Sequence, residues 1–193
     1  MDFNEAYYTT SEFGLKGYSD RELFTKRAEW LNSLGYKHIT ILGCGYGFTV
    51  KHLIDDFNFI NVIGIDKSKW AVSKSHELGL QDHVIQSDIL LYNFFNTELI
   101  ISWSVLDTLS SEAEALSIAN YLRLFNKTQI HIMSMSDGKG SPYSEWGYHI
   151  RPYSYWRSLF PNAYLVCWEC RKVYTPNDRE PMSIVIDSRK VAV

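Results

Sequence analysis

The chain has 193 residues, is 46% hydrophobic and carries a formal net charge of −3. That is enough apolar material for one well-formed core and too little for two generous domains, so a single domain over 1–193 is expected. With 21% charged residues and no long run of one sign, nothing favours an electrostatic grip on nucleic acid or an anionic membrane. Three cysteines (Cys44, Cys167 and Cys170) exclude a disulfide framework, and residues 1–5 lack the features of a secretory leader. With no run near the ~18 apolar residues of a membrane span, the expectation is a cytoplasmic protein.

In chain order, Asp20 caps a helix over 20–34 whose Leu23, Phe24, Arg27, Ala28, Trp30, Leu31 and Leu34 fall near helical spacing. His38-Ile-Thr-Ile-Leu is a buried strand that breaks at Gly43, and a second helix is expected from near Tyr46 to about Asp56. Phe59 to Ile65 forms a second strand stopping at Asp66, Ser68 caps the next helix, and Gly79 closes it in a left-handed cap. Strands follow at 83–86, 99–103 and 129–134, with a helix over 112–125 between the last two. This βαβ alternation implies a mostly parallel sheet with helices on both faces. Residues 137–153, rich in Gly, Ser and aromatics without a clear period, read as a long functional loop. A short helix over 153–160 and two closing strands at 163–169 and 182–187 complete seven strands. Cys167 and Cys170 fall on opposite faces of the first closing strand and read as structural.

The sharpest motif is Leu42-Gly-Cys-Gly-Tyr-Gly, a buried strand breaking into glycines and then a helix. Gly43 and Gly45 allow a tight turn and close approach of a ligand at the carboxyl end of the first strand, where open α/β sheets bind small molecules. Asp66 ends the second strand 21 positions after Gly45. A carboxylate there can accept hydrogen bonds from both ribose hydroxyls of a nucleoside. The same residue type also suits a helix cap ahead of Lys67-Ser68. A dinucleotide fingerprint is disfavoured because its last glycine would fall at Phe48.

With these residues the chain resembles the class I, Rossmann-like S-adenosylmethionine-dependent methyltransferases over roughly residues 39–136. The resemblance implies S-adenosyl-L-methionine as cofactor, held by Gly43, Cys44, Gly45, Asp66, Lys67, Asp88, Ile89, Ser102, Trp103 and Tyr8. Asp66 would hold the ribose, Asp88 of Gln86-Ser-Asp-Ile the adenine amino group, and Ile89 would pack on the purine. Ser102-Trp-Ser-Val-Leu-Asp-Thr-Leu looks like the family stretch near the sulfonium. Leu42 stands where many members carry an acidic residue, leaving Asp107, Tyr7 or Tyr8 as candidates for polar contacts to the methionine end. It further implies that 1–36 form a lid and helix, 37–136 the donor-binding core, and 137–193 the acceptor loop and closing strands.

Methyl transfer from a sulfonium is an in-line displacement in which the protein aligns the partners and, where needed, takes a proton. Candidate bases are His149, Asp107 and Asp137; His131, inside an apolar strand, reads as structural. Trp146, Tyr148, Arg151 and Tyr153 are candidate acceptor-binding residues, Arg151 as an anion clamp. No metal site is read. The stretch after the fourth strand lacks the Asp/Asn-Pro-Pro-Tyr/Phe motif of amino-directed DNA enzymes, and no Pro-Cys nucleophile is present. A small-molecule acceptor and a monomer or homodimer are therefore expected. The alternatives are a non-catalytic nucleoside-binding regulator, an RNA or protein methyltransferase, and a nicotinamide oxidoreductase.

Overall fold

The computed structural model describes residues 5–10, 21–125, 127–132, 151, 153–161, 163–166 and 183–186. They fall into two compact units, one spanning Asp2–Glu98 and one built on Leu99–Val193.

In the first unit, β1 (His38–Leu42), β2 (Asn61–Asp66) and β3 (Val84–Gln86) pair in parallel in the order β3-β2-β1. The last four residues of β1 are buried, the pattern of a strand covered on both faces. Its start is fixed by Glu98, whose Oε2 accepts the N–H groups of Lys37 (2.7 Å) and His38 (3.2 Å).

Among the described residues of this unit are the helices α1 (Glu5–Thr10), α2 (Arg21–Ser33), α3 (Phe48–Phe57) and α4 (Lys69–Glu77). α3 begins two residues later than the sequence suggested because Gly47, at φ 78°, keeps the chain in a left-handed turn. It buries Thr49, Val50 and Leu53 on one face and stops at Asn58, also left-handed, whose N–H returns to Ile54 O. α4 is capped as expected, with Ser68 Oγ accepting from the Ala71 N–H at 3.1 Å, and is followed by Gly79 at φ 84°. α1 lies in a stretch read from sequence as lid without assigned structure.

In the second unit, β4 (Leu99–Trp103) and β5 (Thr128–Ile132) are parallel, and β6 (Ala163–Val166) and β7 (Ser183–Ile186) complete the order β4-β5-β7-β6. β7 runs antiparallel to both neighbours, with Ile186 opposite Gln129 on one side and Ala163 on the other. The seven expected strands are thus present. Of the helices here, α5 (Glu112–Arg123) and α6 (Tyr153–Leu159), α5 shows how sequence fixes a face. Ser111 Oγ caps the Glu114 N–H at 3.0 Å, and Ala115, Ile118, Ala119 and Leu122 recur at helical spacing and are buried. Burying Ile118 and Leu122 stabilises the unit by about 1.5–3 kcal/mol each.

Candidate functional site

The glycine turn leaves β1 with Gly43 at φ 58°, Gly45 at φ 57° and Gly47 at φ 78°, a backbone that residues with a Cβ adopt only under strain. It is pinned from below: the Cys44 N–H donates to Ile65 O at 3.1 Å and the Gly47 N–H to Cys44 O at 3.0 Å. Gly64 of β2 makes room for it, since a Cβ there would lie 2.6 Å from Cys44 Sγ. Burial, reinforced by the Asp66 charge, pushes the Cys44 thiol well above its ordinary pKa, which favours the protonated form.

Asp66 ends β2 and is buried. Its Oδ2 accepts the Gly45 N–H and its Oδ1 the Ser68 N–H, both at 2.8 Å. Burial raises its pKa, opposed by those two amides and by Lys67. Asp66 O also accepts the Ser87 N–H at 3.0 Å, which ties in the end of β3. There Asp88 Oδ1 caps a short 3-10 turn, Ile89–Leu91, through the Leu90 N–H at 2.9 Å. The unit therefore brings Gly43–Gly45, Asp66 and Asp88 to the carboxyl ends of neighbouring parallel strands. Lys67, next in the chain, is exposed, and its charge acts on Asp66.

Tyr8 is buried. Its ring stacks on Trp70 (centroids 5.5 Å apart, 21°), lies 5.2 Å from Tyr46 and meets Tyr7 edge-on at 5.0 Å. Tyr46 belongs to the glycine turn, so α1 is docked on that turn through aromatic rings. Burial and the nearby Glu5 push the Tyr46 phenol up to about 12. Tyr46 and Trp70 were read from sequence as helix residues and not as site residues, because each also fits an ordinary core pattern.

In the second unit, β4 ends in Ser102 and Trp103, followed by Ser104 in a left-handed conformation at φ 51°. Such backbone in a residue with a side chain is held only by its surroundings, here including the Ser104 N–H bond to Ile132 O at 2.8 Å. Asp107 is buried within the 3-10 turn Leu106–Thr108. Ser102 sits opposite His131 in register, and both are inaccessible to solvent. Gln129 Nε2 donates to Leu122 O (3.0 Å), which fixes its amide so that Oε1 accepts from His131 Nε2–H (3.2 Å). His131 Nδ1 then accepts the Ser102 hydroxyl proton at 2.9 Å. Burial lowers the imidazole pKa to about 3, so the network is neutral. Arg151 donates to Leu109 O at 2.9 Å and lies over the Tyr155 and Trp156 rings. Asp137, Trp146, Tyr148 and His149 fall outside the described residues, as do Cys167 and Cys170; Tyr153 opens α6, but its side chain is not described. Among the described residues no His/Cys/Asp/Glu group could hold a metal ion, and no helix is long and apolar enough to cross a membrane.

No protein-family model and no curated protein sequence matches the chain. Solved structures do. An S-adenosylmethionine-dependent methyltransferase from Clostridium acetobutylicum ATCC 824 superposes with a TM-score of 0.63 at 10% identity, over 84% of this chain and 90% of that one. The fold is that of the class I, Rossmann-like methyltransferases. The plantazolicin methyltransferase BpumL, in complex with a substrate analogue and SAH, gives 0.63 at 13% identity over 94% and 87%. The mitomycin 7-O-methyltransferase MmcR gives 0.60 at 14% identity over 84% of this chain. The chain spans about half the length of some of these proteins: 53% of MmcR and 54% of Streptomyces venezuelae DesVI.

Proposed function

We propose that this chain is an S-adenosyl-L-methionine-dependent methyltransferase acting on a small-molecule acceptor. The observation that carries the reading is the Asp66 clamp: a buried carboxylate at the end of β2 whose two oxygens each hold one backbone N–H, one of them from the glycine turn. A carboxylate has about four acceptor positions, so capacity remains for two ribose hydroxyls. The left-handed glycines and the missing Cβ at Gly64 keep that turn low and tight, which fits a nucleoside lying along it. Gly43, Cys44 and Gly45 would line the ligand, Asp66 hold the ribose, Asp88 and Ile89 meet the base, and Lys67 lie at the rim. When bound, the donor supplies an electrophilic methyl group; the chain's part is to orient and to shield from water. BpumL was solved with SAH, and structures similar to this one span 84% and 94% of the chain as single folds, which supports one working domain over 1–193. The acidic composition supports a non-nucleic-acid acceptor, and the unpaired cysteine count a cytoplasmic setting.

Calorimetric titration with S-adenosylhomocysteine tests the donor site. One-site binding is expected, weakened by about tenfold or more in Asp66→Asn, the scale of one lost hydrogen bond to a charged group. Binding of NAD in place of S-adenosylhomocysteine would point to an oxidoreductase and overturn the proposal. One observation favours a second reading, a non-catalytic nucleoside-binding protein: the candidate base Asp107 and the imidazole of His131 are both buried. Turnover with any member of an acceptor panel would exclude it.

A further inference from the structure

Around α6 the second unit carries a set of hydrogen-bond donors that its fold does not use. Trp156 is 1% exposed, and its indole N–H has no hydrogen-bond partner; the buried Tyr155 hydroxyl has none either. The two rings meet edge to face, with centroids 5.2 Å apart at 83°. The Arg151 guanidinium carbon lies 5.0 Å from the centre of the Tyr155 ring and 5.7 Å from that of Trp156, while one of its N–H groups donates to Leu109 O. Buried indole N–H and phenol O–H groups ordinarily find partners, because leaving them dry forfeits their hydration for nothing. Phe at 155 would remove one such loss at almost no cost in packing. Two unpartnered donors on consecutive residues, beside one guanidinium, are the composition of a binding site and not of a hydrophobic core.

We propose that Arg151, Tyr155 and Trp156 form the recognition site for a small conjugated molecule bearing an oxyanion, a carboxylate or phenolate on a flat ring. The charge follows from the donor set. Indole and guanidinium cannot accept a hydrogen bond, and the guanidinium is positive at any physiological pH, so the set attracts an anion and repels a cation, with the Tyr155 oxygen the one atom among the three groups that can also accept. The flatness follows from the walls, which are two aromatic rings and a planar guanidinium, all of which stack. Since Arg151 covers both rings, entry requires its side chain to slide along them, a movement that keeps cation–π contact throughout. Naming this ligand the methyl acceptor rests on the proposed function; its chemistry does not.

The test is an NMR titration of the ¹⁵N-labelled full chain, following the indole N–H signals and assigning that of Trp156 by its loss in Trp156→Phe. Millimolar 4-hydroxybenzoate is expected to move the Trp156 signal saturably, and benzylamine to leave it in place. Tyr155→Phe is expected to weaken that binding about tenfold, the scale of one hydrogen bond to a charged group. The same variant should melt at the same temperature as the parent or higher, because it deletes an unpartnered buried hydroxyl. A Trp156 signal unmoved by 4-hydroxybenzoate, or affinity unchanged in Tyr155→Phe, overturns the inference. S-adenosylhomocysteine calorimetry on the same samples separates the two failures. Donor binding without the oxyanion response removes this site and leaves the proposed function; the oxyanion response without donor binding does the reverse.

Discussion

Asp66 and His131 are both buried titratable side chains on parallel strands, one in each unit, and they are satisfied in opposite ways. Asp66 is held by main-chain amides of the glycine turn and of the helix that follows it, and keeps spare acceptor capacity. His131 is held by side chains alone, Ser102 on one nitrogen and Gln129 on the other, with nothing left to offer. Burial pushes the two pKa values in opposite directions, up for the acid and down to about 3 for the imidazole, because each is driven towards its neutral form. The contrast separates a carboxylate with acceptor capacity to spare from an imidazole whose two nitrogens are both spent on side chains of β4 and β5.

The largest effect is expected at His131. Replacing it with Leu strands the Ser102 hydroxyl and the Gln129 carbonyl in a dry interior, at about 1–3 kcal/mol each. Urea denaturation at pH 7 should therefore show a loss of about 3 kcal/mol or more. The pH dependence gives a second readout. The unfolded chain takes up a proton at the imidazole below about 6.5, the folded chain only near 3. Parent stability is then lost as pH falls through that window, by up to about 1.4 kcal/mol per unit, and the variant lacks this component. Asp66 carries the opposite sign. Its raised folded value means that its contribution is present below the unfolded value and is lost as pH rises through the folded one. Asp66→Asn should remove that decline and leave the His131 slope intact. Both windows lie on the acid side of the curve, so it is the sign that separates them: His131→Leu removes a rise of stability with pH and Asp66→Asn a fall, and slope changes of the same sign in the two variants would show that the sites are not opposites.

Gly64→Ala probes the other side of the comparison. The new Cβ would stand 2.6 Å from Cys44 Sγ and 2.9 Å from Cys44 Cβ, so the glycine turn must lift or β2 must shift. Overpacking of this kind costs about 1–3 kcal/mol. Cys44→Gly removes both clashing atoms and should restore most of the loss, a coupling that a double-mutant cycle measures directly. The single variant should also weaken S-adenosylhomocysteine binding; intact affinity would show that the turn's height over β2 is irrelevant to the ligand.

The same contrast explains what could be read from sequence. The glycine turn, Asp66 and the Ser68 cap were legible because each is a local signal: a strand breaking into glycines, an acid at a strand end, a serine before a helix. All seven strands were legible for a similar reason, as apolar runs between polar breaks. The Ser102–His131–Gln129 chain was not, since it exists only once β4 and β5 pair with Ser102 opposite His131. The role of Gly64 was equally hidden, being a matter of what passes above it. The start of α3 at Phe48 rather than near Tyr46 turned on the left-handed Gly47, which local helical spacing could not anticipate. Tyr8 was singled out as a ligand contact; its packing among Tyr7, Tyr46 and Trp70, which the docking of α1 brings about, could not be read from local spacing.

The smallest expected effect concerns that docking. A six-residue helix is far too short to be stable by itself, so α1 depends on what it touches. Tyr8 is its buried anchor, and aromatic pairs are worth about 0.5–1.5 kcal/mol beyond the area they cover. Tyr8→Leu keeps an apolar side chain but loses the stack on Trp70 and the contact with Tyr46, so about 1 kcal/mol is expected. The loss should be local. Limited proteolysis should cut the N-terminal segment faster, while the urea midpoint moves much less than in His131→Leu. Because Tyr46 is part of the glycine turn, S-adenosylhomocysteine should slow that cutting if α1 and the ligand favour the same arrangement of the turn. Cutting that the ligand accelerates would instead mean that Tyr8 competes with it for the turn, and that α1 must leave before the nucleoside can settle against Asp66.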